Sequence, residues 1–398
     1  MNNKSYFVLG TLLALVVSWI PISRFLLGFD HNGRTALVIM ISLLLIYSDK
    51  IKKVAFKWPL ISMLFLNIYI SINSVVKGLN GYIPGPFVFF SLMICPLVFM
   101  WMIVLMSKKD FDKTLKCLLG VFYFYAVITL LFDSVSQSHG GRFGDVINAN
   151  TIAINVLFTI IFSSLLFLRR QLSLLQYSLL LILPVYLEII TASRMGFVAM
   201  AFILMAVYLL SAKLTLKNVT IFILVGVVIF LGFNFIIDKT VVGERLLYTQ
   251  DQSDHFSEMY GTGLFFIDFL GDRGPQYYLS WPVFLQNFFT GIGFGNWRLL
   301  NPLGHVCHSQ YLVLYVENGI IGFILYFSPF VWFFRKLLGL SRMNIKRVSN
   351  TIPLFLTVTL VVMLIMNLVL WSYDVYGYYA IFALGYVIVS NKEKILAT

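Results

Sequence analysis

The chain has 398 residues, of which 60% are hydrophobic and only 12% charged, and its mean hydropathy is +0.89. Soluble domains carry about 25% charged residues, so this composition excludes both a soluble globular protein and a disordered chain. The formal charge of +12 would suit a nucleic-acid partner, but charge has meaning only once it is placed along the chain.

A bilayer span needs about 20 apolar residues. Runs of that kind fall at 6–23, 34–47, 58–76, 82–106, 115–132, 146–168, 172–191, 195–211, 218–237, 308–334, 351–371 and 374–390. The first lacks a small-residue cleavage site and is expected to be a retained span, not a removed signal peptide. The second is short, because Asp30, His31 and Arg34 interrupt the stretch before it. The seventh and eighth are joined by a tight turn. The expected fold is therefore all-α: a polytopic integral membrane protein of about twelve transmembrane helices. Residues 1–398 read as a single transmembrane domain, with a large extracytoplasmic loop, 238–307, between helices 9 and 10. Within that loop Gln276–Phe289 is aromatic but too short to span, which predicts an interfacial or re-entrant helix. No internal repeat is visible.

The basic residues fall on one side. With a cytoplasmic N-terminus, the inner segments hold Lys4, the Lys50–Lys57 cluster, Lys108, Lys109, Lys113, Lys116, Arg169, Arg170, Lys213, Lys217, the basic stretch 335–347, Lys392 and Lys394. Of the acids, only Asp49, Asp110, Asp112 and Glu393 lie there. This is the positive-inside pattern, and it accounts for the charge without nucleic acid. Asp110-Phe-Asp112 superficially matches a metal-binding acidic pair, but among so many lysines a solvated cytoplasmic loop is the better reading. Cys95, Cys117 and Cys307 share no exposed loop, so no disulfide framework is expected. Most of the aromatic residues are expected to face lipid or the interface.

Ionisable groups at the edge of a bilayer are costly and are candidates for function. Arg194, in Thr191-Ala-Ser-Arg-Met-Gly, sits at the outer end of the seventh span, where a snorkelling arginine is the plain alternative. Glu188 lies six residues earlier, off that face of a regular helix, and reads as a structural partner. In the long loop stand Arg273, in Gly-Asp-Arg-Gly-Pro, and the glycines Gly291, Gly293 and Gly295. No strand–helix unit surrounds these glycines, so a dinucleotide site is rejected. A tight loop at the membrane surface is expected, with an anion held on backbone N–H groups as the weaker reading. His305 and His308 end the loop. His308, at an outer mouth, has a side chain suited to proton transfer near neutral pH. No third ligand is close, so no metal site is expected. Glu317 follows His308 by nine residues, which a regular helix turns to the opposite face. Packing or hydrogen bonding is its expected role.

The segment His308-Ser-Gln-Tyr-Leu-Val-Leu-Tyr-Val-Glu317-Asn-Gly319 resembles the signature of the O-antigen polymerase/ligase superfamily, in which a His opens a helix with Leu at +4, Glu at +9 and Gly at +11. Arg273 with Tyr277, then Phe289-Thr-Gly-Ile-Gly, is similar to that family's Arg-x-x-x-aromatic and Pro-x-x-Gly-x-Gly pieces, with Phe288 and Phe289 where proline is usual. Ser193-Arg194-Met-Gly is similar to its Ser-Arg element. Arg142-Phe-Gly144 and Asn148-Ala-Asn150 look like the element before its sixth span. Ser309 stands where Asn often follows the His. The resemblance implies a GT-C-type glycosyltransferase, metal-independent, inverting and without cofactor, at the outer face of a bacterial inner membrane. The implied donor is an undecaprenyl-diphosphate-linked glycan and the acceptor a second lipid-linked glycan, with membrane lipids and a chain-length regulator as further partners. It implies His308 as base, Arg194, Arg273 and Arg142 on the diphosphate, and Glu317, Tyr277, Gly291 and Gly293 in support. A polymerase is favoured over an O-antigen ligase by the Asn-Ala-Asn element and the compact length. A lipid-linked-oligosaccharide flippase is the alternative from a different class, and it would carry its charges near the midplane.

Overall fold

The computed structural model describes residues 3–19, 21–23, 34–78, 86–136, 142–143, 148–191, 193–211, 274–301, 309–342, 351–368 and 375–391. Their helices are α1 (Asn3–Val17), α2 (Arg34–Ile46), α3 (Ser48–Ala55), α4 (Leu60–Lys77), α5 (Pro86–Lys109), α6 (Phe111–Phe132), α7 (Ala149–Leu168), α8 (Leu174–Ile190), α9 (Arg194–Ser211), α10 (Gly274–Gln286), α11 (Trp297–Leu300), α12 (Gln310–Leu312), α13 (Gly319–Arg342), α14 (Thr351–Met366) and α15 (Tyr376–Ser390). A π-helix, Val313–Glu317, separates α12 from α13, and a two-residue antiparallel pair, β1 (Val135–Ser136) with β2 (Arg142–Phe143), follows α6. The fold is all-α and polytopic. Five helices are long and apolar enough to cross a membrane, and six shorter apolar ones accompany them. The run 218–237 and most of the loop 238–307 lie outside the described residues. Gln276–Phe289 does contain the expected short helix, α10.

Where sequence periodicity is flat, packing decides the lipid face. The helix α7 is apolar all round, and it is enclosed by α6, α8 and α9 with nearly every residue buried. On α4 the buried stripe Met63, Leu66, Asn67, Ile70, Asn73 and Ser74 turns polar groups inward, while Phe65, Ile68, Ile72 and Val76 face out. That arrangement suits a bilayer. Lipid tails give apolar side chains no reason to hide, whereas polar groups must find partners inside the protein.

Many of the described aromatic residues pack inside the bundle, while others, such as Phe7, Phe65 and Phe289, are exposed. Trp297, Tyr378, Phe99, Phe122, Phe158, Phe162, Phe294, Phe333, Phe355 and Phe382 are among the largest fully buried side chains. Phe122 meets Phe158 and Phe162 at ring-centroid distances of 5.7 and 5.4 Å, and Tyr378 caps Phe158 edge-on at 5.8 Å. Between helices in lipid, association depends on dispersion and shape, and such pairs contribute about 0.5–1.5 kcal/mol each beyond burial.

Four chain segments meet at one end of the bundle. The Tyr6 hydroxyl donates to the Met106 carbonyl at 2.9 Å. Lys108 Nζ lies 5.4 Å over the Tyr386 ring. Arg169, just beyond α7, pairs with Asp112 through Nε and, at 3.2 Å, through Nη2, and its guanidinium covers Phe111. Asp110 caps α6 by accepting from Lys113 N at 3.0 Å. The Asp110–Asp112 pair is thus not a solvated loop: a single residue joins α5 to α6, and both carboxylates have fixed partners. This is the basic end. The other end, some 30 Å away along the 20 residues of α7, carries the junction of α8 and α9, the turn between α10 and α11, and the end of α14.

Candidate functional site

Three hydrogen-bonded clasps form at that second end. The first binds the glycine loop to the π-helix. Ile292 N donates to Val316 O at 3.0 Å and Gly293 N to Glu317 O at 2.8 Å, while Ile320 N returns to Phe288 O at 2.8 Å. Gly291 and Gly319 adopt φ of +67° and +62°. A Cβ on Gly291 would overlap the backbone of Glu317 and Asn318, and one on Gly319 would overlap that of Phe289 and Gly291. Glycine is therefore required twice, for conformation and for contact. From α4, Tyr69 Oη donates to Asn318 O at 2.8 Å, and Asn73 Nδ2 donates to Thr290 O at 2.8 Å.

Glu317 is buried at the centre of this clasp. Its Oε1 accepts from Trp297 N at 3.3 Å, and the carboxylate also accepts from the Gly295 backbone N–H. The group held on backbone N–H donors here is therefore the protein's own Glu317 carboxyl. The N–H groups of Gly291 and Gly293 are engaged by the carbonyls of Asn287 and Glu317. The expected continuous span from 308 to 334 is broken here. The π-helix ends at Glu317, the Asn318 side chain donates back to Val313 O at 3.1 Å, and left-handed Gly319 starts α13. The regular-helix geometry between 308 and 317 does not apply, because a π turn advances each residue by less than the α-helical 100°.

The second clasp fixes the chain immediately after position 308. Ser309 caps α12, and its Oγ donates to Asn367 O at 3.1 Å. Gln310 N donates to the same carbonyl at 3.0 Å. On α10, Tyr277 Oη bonds Ser309 Oγ and lies 3.0 Å from Leu368 O. The aromatic of the Arg-x-x-x-aromatic piece thus touches the residue that follows the His. His308 and Arg273 themselves lie outside the described residues, as do His305 and Cys307.

The third clasp joins two elements 43 residues apart. Ser193 Oγ donates to Asn150 Oδ1 at 3.0 Å and accepts from Gly196 N at 3.3 Å, so it caps α9, whose first residue is Arg194. Asn148 caps α7 two residues earlier. The backbone places Arg142 in β2, six residues before Asn148. Glu188 ends α8 on a helix separate from Arg194, so a shared helical face is not the relevant geometry. Its carboxylate is fully buried, without a hydrogen-bond partner among the described residues, and it occupies the space that a Cβ on Gly196 would fill. No cluster of metal-ligating side chains occurs among the described residues.

Sequence reasoning missed Tyr69, Asn73 and Asn367, and it noted Ser309 without giving it a role. One signal was available: Tyr69 and Asn73 are i and i+4 polar groups within an apolar run, which in lipid must face inward.

An all-α, polytopic membrane protein with its polar clasps gathered at one end is the class these features define. A family model described as O-Antigen ligase matches residues 179–327. The match starts in α8 and ends in α13, so it holds the Ser-Arg element, the long loop, the glycine loop and Glu317, and over those residues the chain is similar to that family. No curated protein matches the chain in sequence.

Proposed function

We propose that the chain is a membrane glycosyltransferase that polymerises undecaprenyl-diphosphate-linked repeat units at the outer face of the bacterial inner membrane. One observation carries the reading. The matched segment 179–327 contributes to all three clasps, and two of them fix the residues next to His308 and Arg194, Ser309 and Ser193.

Arg194, Arg273 and Arg142 hold the donor diphosphate, since a guanidinium fork matches phosphate oxygens in a bidentate way. The acceptor hydroxyl oxygen attacks the anomeric carbon while His308 takes its proton. The bond from that carbon to the diphosphate oxygen breaks, and the diphosphate leaves with the electron pair. A single displacement of this kind inverts the anomeric centre. Tyr277, Gly291, Gly293 and Glu317 support the site by fixing its backbone. The buried carboxylates among the described residues, Asp133, Glu188 and Glu317, lie at the clasp-bearing end and not at mid-bundle. That placement favours a transferase over a transporter, which would carry charge near the midplane.

The family description favours one second reading, a ligase that passes the glycan to lipid A core or another acceptor. Deletion in the native host, followed by a gel of surface polysaccharide, separates the two. The polymerase reading expects single repeat units on the anchor lipid. Free lipid-linked polymer beside an unmodified acceptor would identify a ligase, and an unchanged ladder would remove both.

A further inference from the structure

At the basic end, the chain from α3 to the start of α4 forms a surface that the proposed reaction does not use. Ile51, Val54 and Ala55, spaced i, i+3 and i+4, are buried, and α3 packs on α5. Lys50, Lys52 and Lys53 are exposed on the remaining face. Beyond the helix come Phe56 at 64% exposure, exposed Lys57, and Trp58 at 46%. Lys108 and Lys109, both exposed, end α5 beside them, and Lys57 and Lys108 are close enough for their positive charges to oppose one another.

Among the described residues, one carboxylate on the same surface stands against these six ammonium groups. Asp49 is 3.8 Å from Lys52 with both side chains exposed, a contact that neutralises little. The nearby Asp110 is engaged by Lys113 at 3.3 Å. Lys50 and Lys108 lie over the rings of Tyr47 and Tyr386, at 5.7 and 5.4 Å. A short helix with an apolar inner face and lysines outside, followed by exposed Phe and Trp, has the composition of a segment lying in the headgroup plane.

We propose that α3 and the Phe56–Trp58 segment form a docking surface for anionic phospholipid headgroups. Lys53, Lys57 and Lys108 contact the phosphates, and Phe56 and Trp58 enter the acyl boundary. Charge complementarity carries the assignment, because clustered lysines beside a transmembrane helix each add to the attraction of an anionic leaflet. The surface is independent of glycosyl transfer and remains if that reading fails.

The full chain is reconstituted into phosphatidylcholine vesicles with a trace of spin-labelled phosphatidylglycerol or spin-labelled phosphatidylcholine, and the motionally restricted fraction of each is read. The wild type should prefer phosphatidylglycerol severalfold at low salt. That preference should largely vanish near 1 M salt, where the screening length is about 3 Å. Lys53→Gln/Lys57→Gln should lower the preference by about threefold or more, whereas Arg335→Gln/Lys336→Gln on α13, with the same loss of charge, should change it by less than about twofold. An equal fall in both double variants would assign the effect to overall charge and overturn the site. So would equal wild-type restriction of the two lipids, or a preference that survives 1 M salt. The salt series needs only the wild type, so it decides even if a variant does not reconstitute.

Discussion

At Gly291 two costs coincide, since φ is +67° and a Cβ would enter the Glu317–Asn318 backbone. Overpacking costs about 1–3 kcal/mol and a left-handed L-residue about 1–2 kcal/mol, so Gly291→Ala should lower the thermal midpoint clearly. Gly120→Ala is the contrast. That glycine is exposed in the middle of α6 with open space around its Cβ position, and alanine there should stabilise by up to about 1 kcal/mol. Melts of the two purified variants check both signs, and equal midpoints would remove the clasp as a source of stability. Chemistry and support separate in the same way. His308→Ala should cut transfer from a defined lipid-linked donor by about 10²–10⁴ while leaving donor binding. Glu317→Gln should act through stability, because its carboxylate is occupied by the Trp297 and Gly295 N–H groups. Retention of more than about a tenth of turnover by His308→Ala would move proton acceptance to another group. Arg273→Lys should restore little activity, since an ammonium cannot reproduce the planar fork. Near-normal polymer would make Arg273 a general electrostatic residue.

At the scale of elements, the α5–α6 junction shows how one residue can end one helix and begin another. Asp110 sits between Lys109 and Phe111 and caps α6. Burial alone would raise its carboxyl. The Lys113 backbone N–H and ammonium outweigh that and hold it below the ordinary carboxylate range. Because the folded value lies below the unfolded one, near 3.9, the ionised group stabilises the fold fully above about pH 4 and loses this contribution as pH falls through the folded value. Asp110→Ala should cost about 1 kcal/mol at neutral pH. Asp110→Asn keeps an acceptor and should differ from the wild type only while the carboxylate is charged. Thermal melts across pH in one detergent test this, and a wild-type-like alanine variant at pH 7 would mean that the cap contributes nothing.

For the whole molecule, the ends of the bundle carry the functional asymmetry. The lysine-rich junctions converge at one end through the Tyr6–Met106, Lys108–Tyr386 and Arg169–Asp112 contacts. If that end is cytoplasmic, a cysteine at position 342 stays unlabelled by an impermeant reagent in intact spheroplasts, and one at position 245 is labelled. Labelling at 342 without labelling at 245 would invert the orientation and remove the proposed access of a lipid-linked donor from outside.

The sequence alone determined the solvent and the class of fold, because stretches of about 20 apolar residues admit only spanning helices. It also located the charged and glycine-bearing segments, since ions and tight turns are rare enough in lipid to stand out. Helix interiors were less legible. A wholly apolar helix such as α7 presents the same pattern to lipid and to protein, so only packing showed it enclosed, and only packing buried Phe122, Phe158 and Tyr378 against one another. The break at Glu317–Gly319 was hidden for a related reason. Its cause is not local composition but partners far along the chain: Tyr69, Asn73 and the 288–293 loop satisfy carbonyls that a continuous helix would have satisfied itself. Tertiary structure likewise decided that Ser193 meets Asn150 and that Tyr277 holds Ser309. These contacts join residues 43 and 32 positions apart, and a buried hydroxyl or amide takes whichever partner the fold brings within reach, which helical periodicity does not specify.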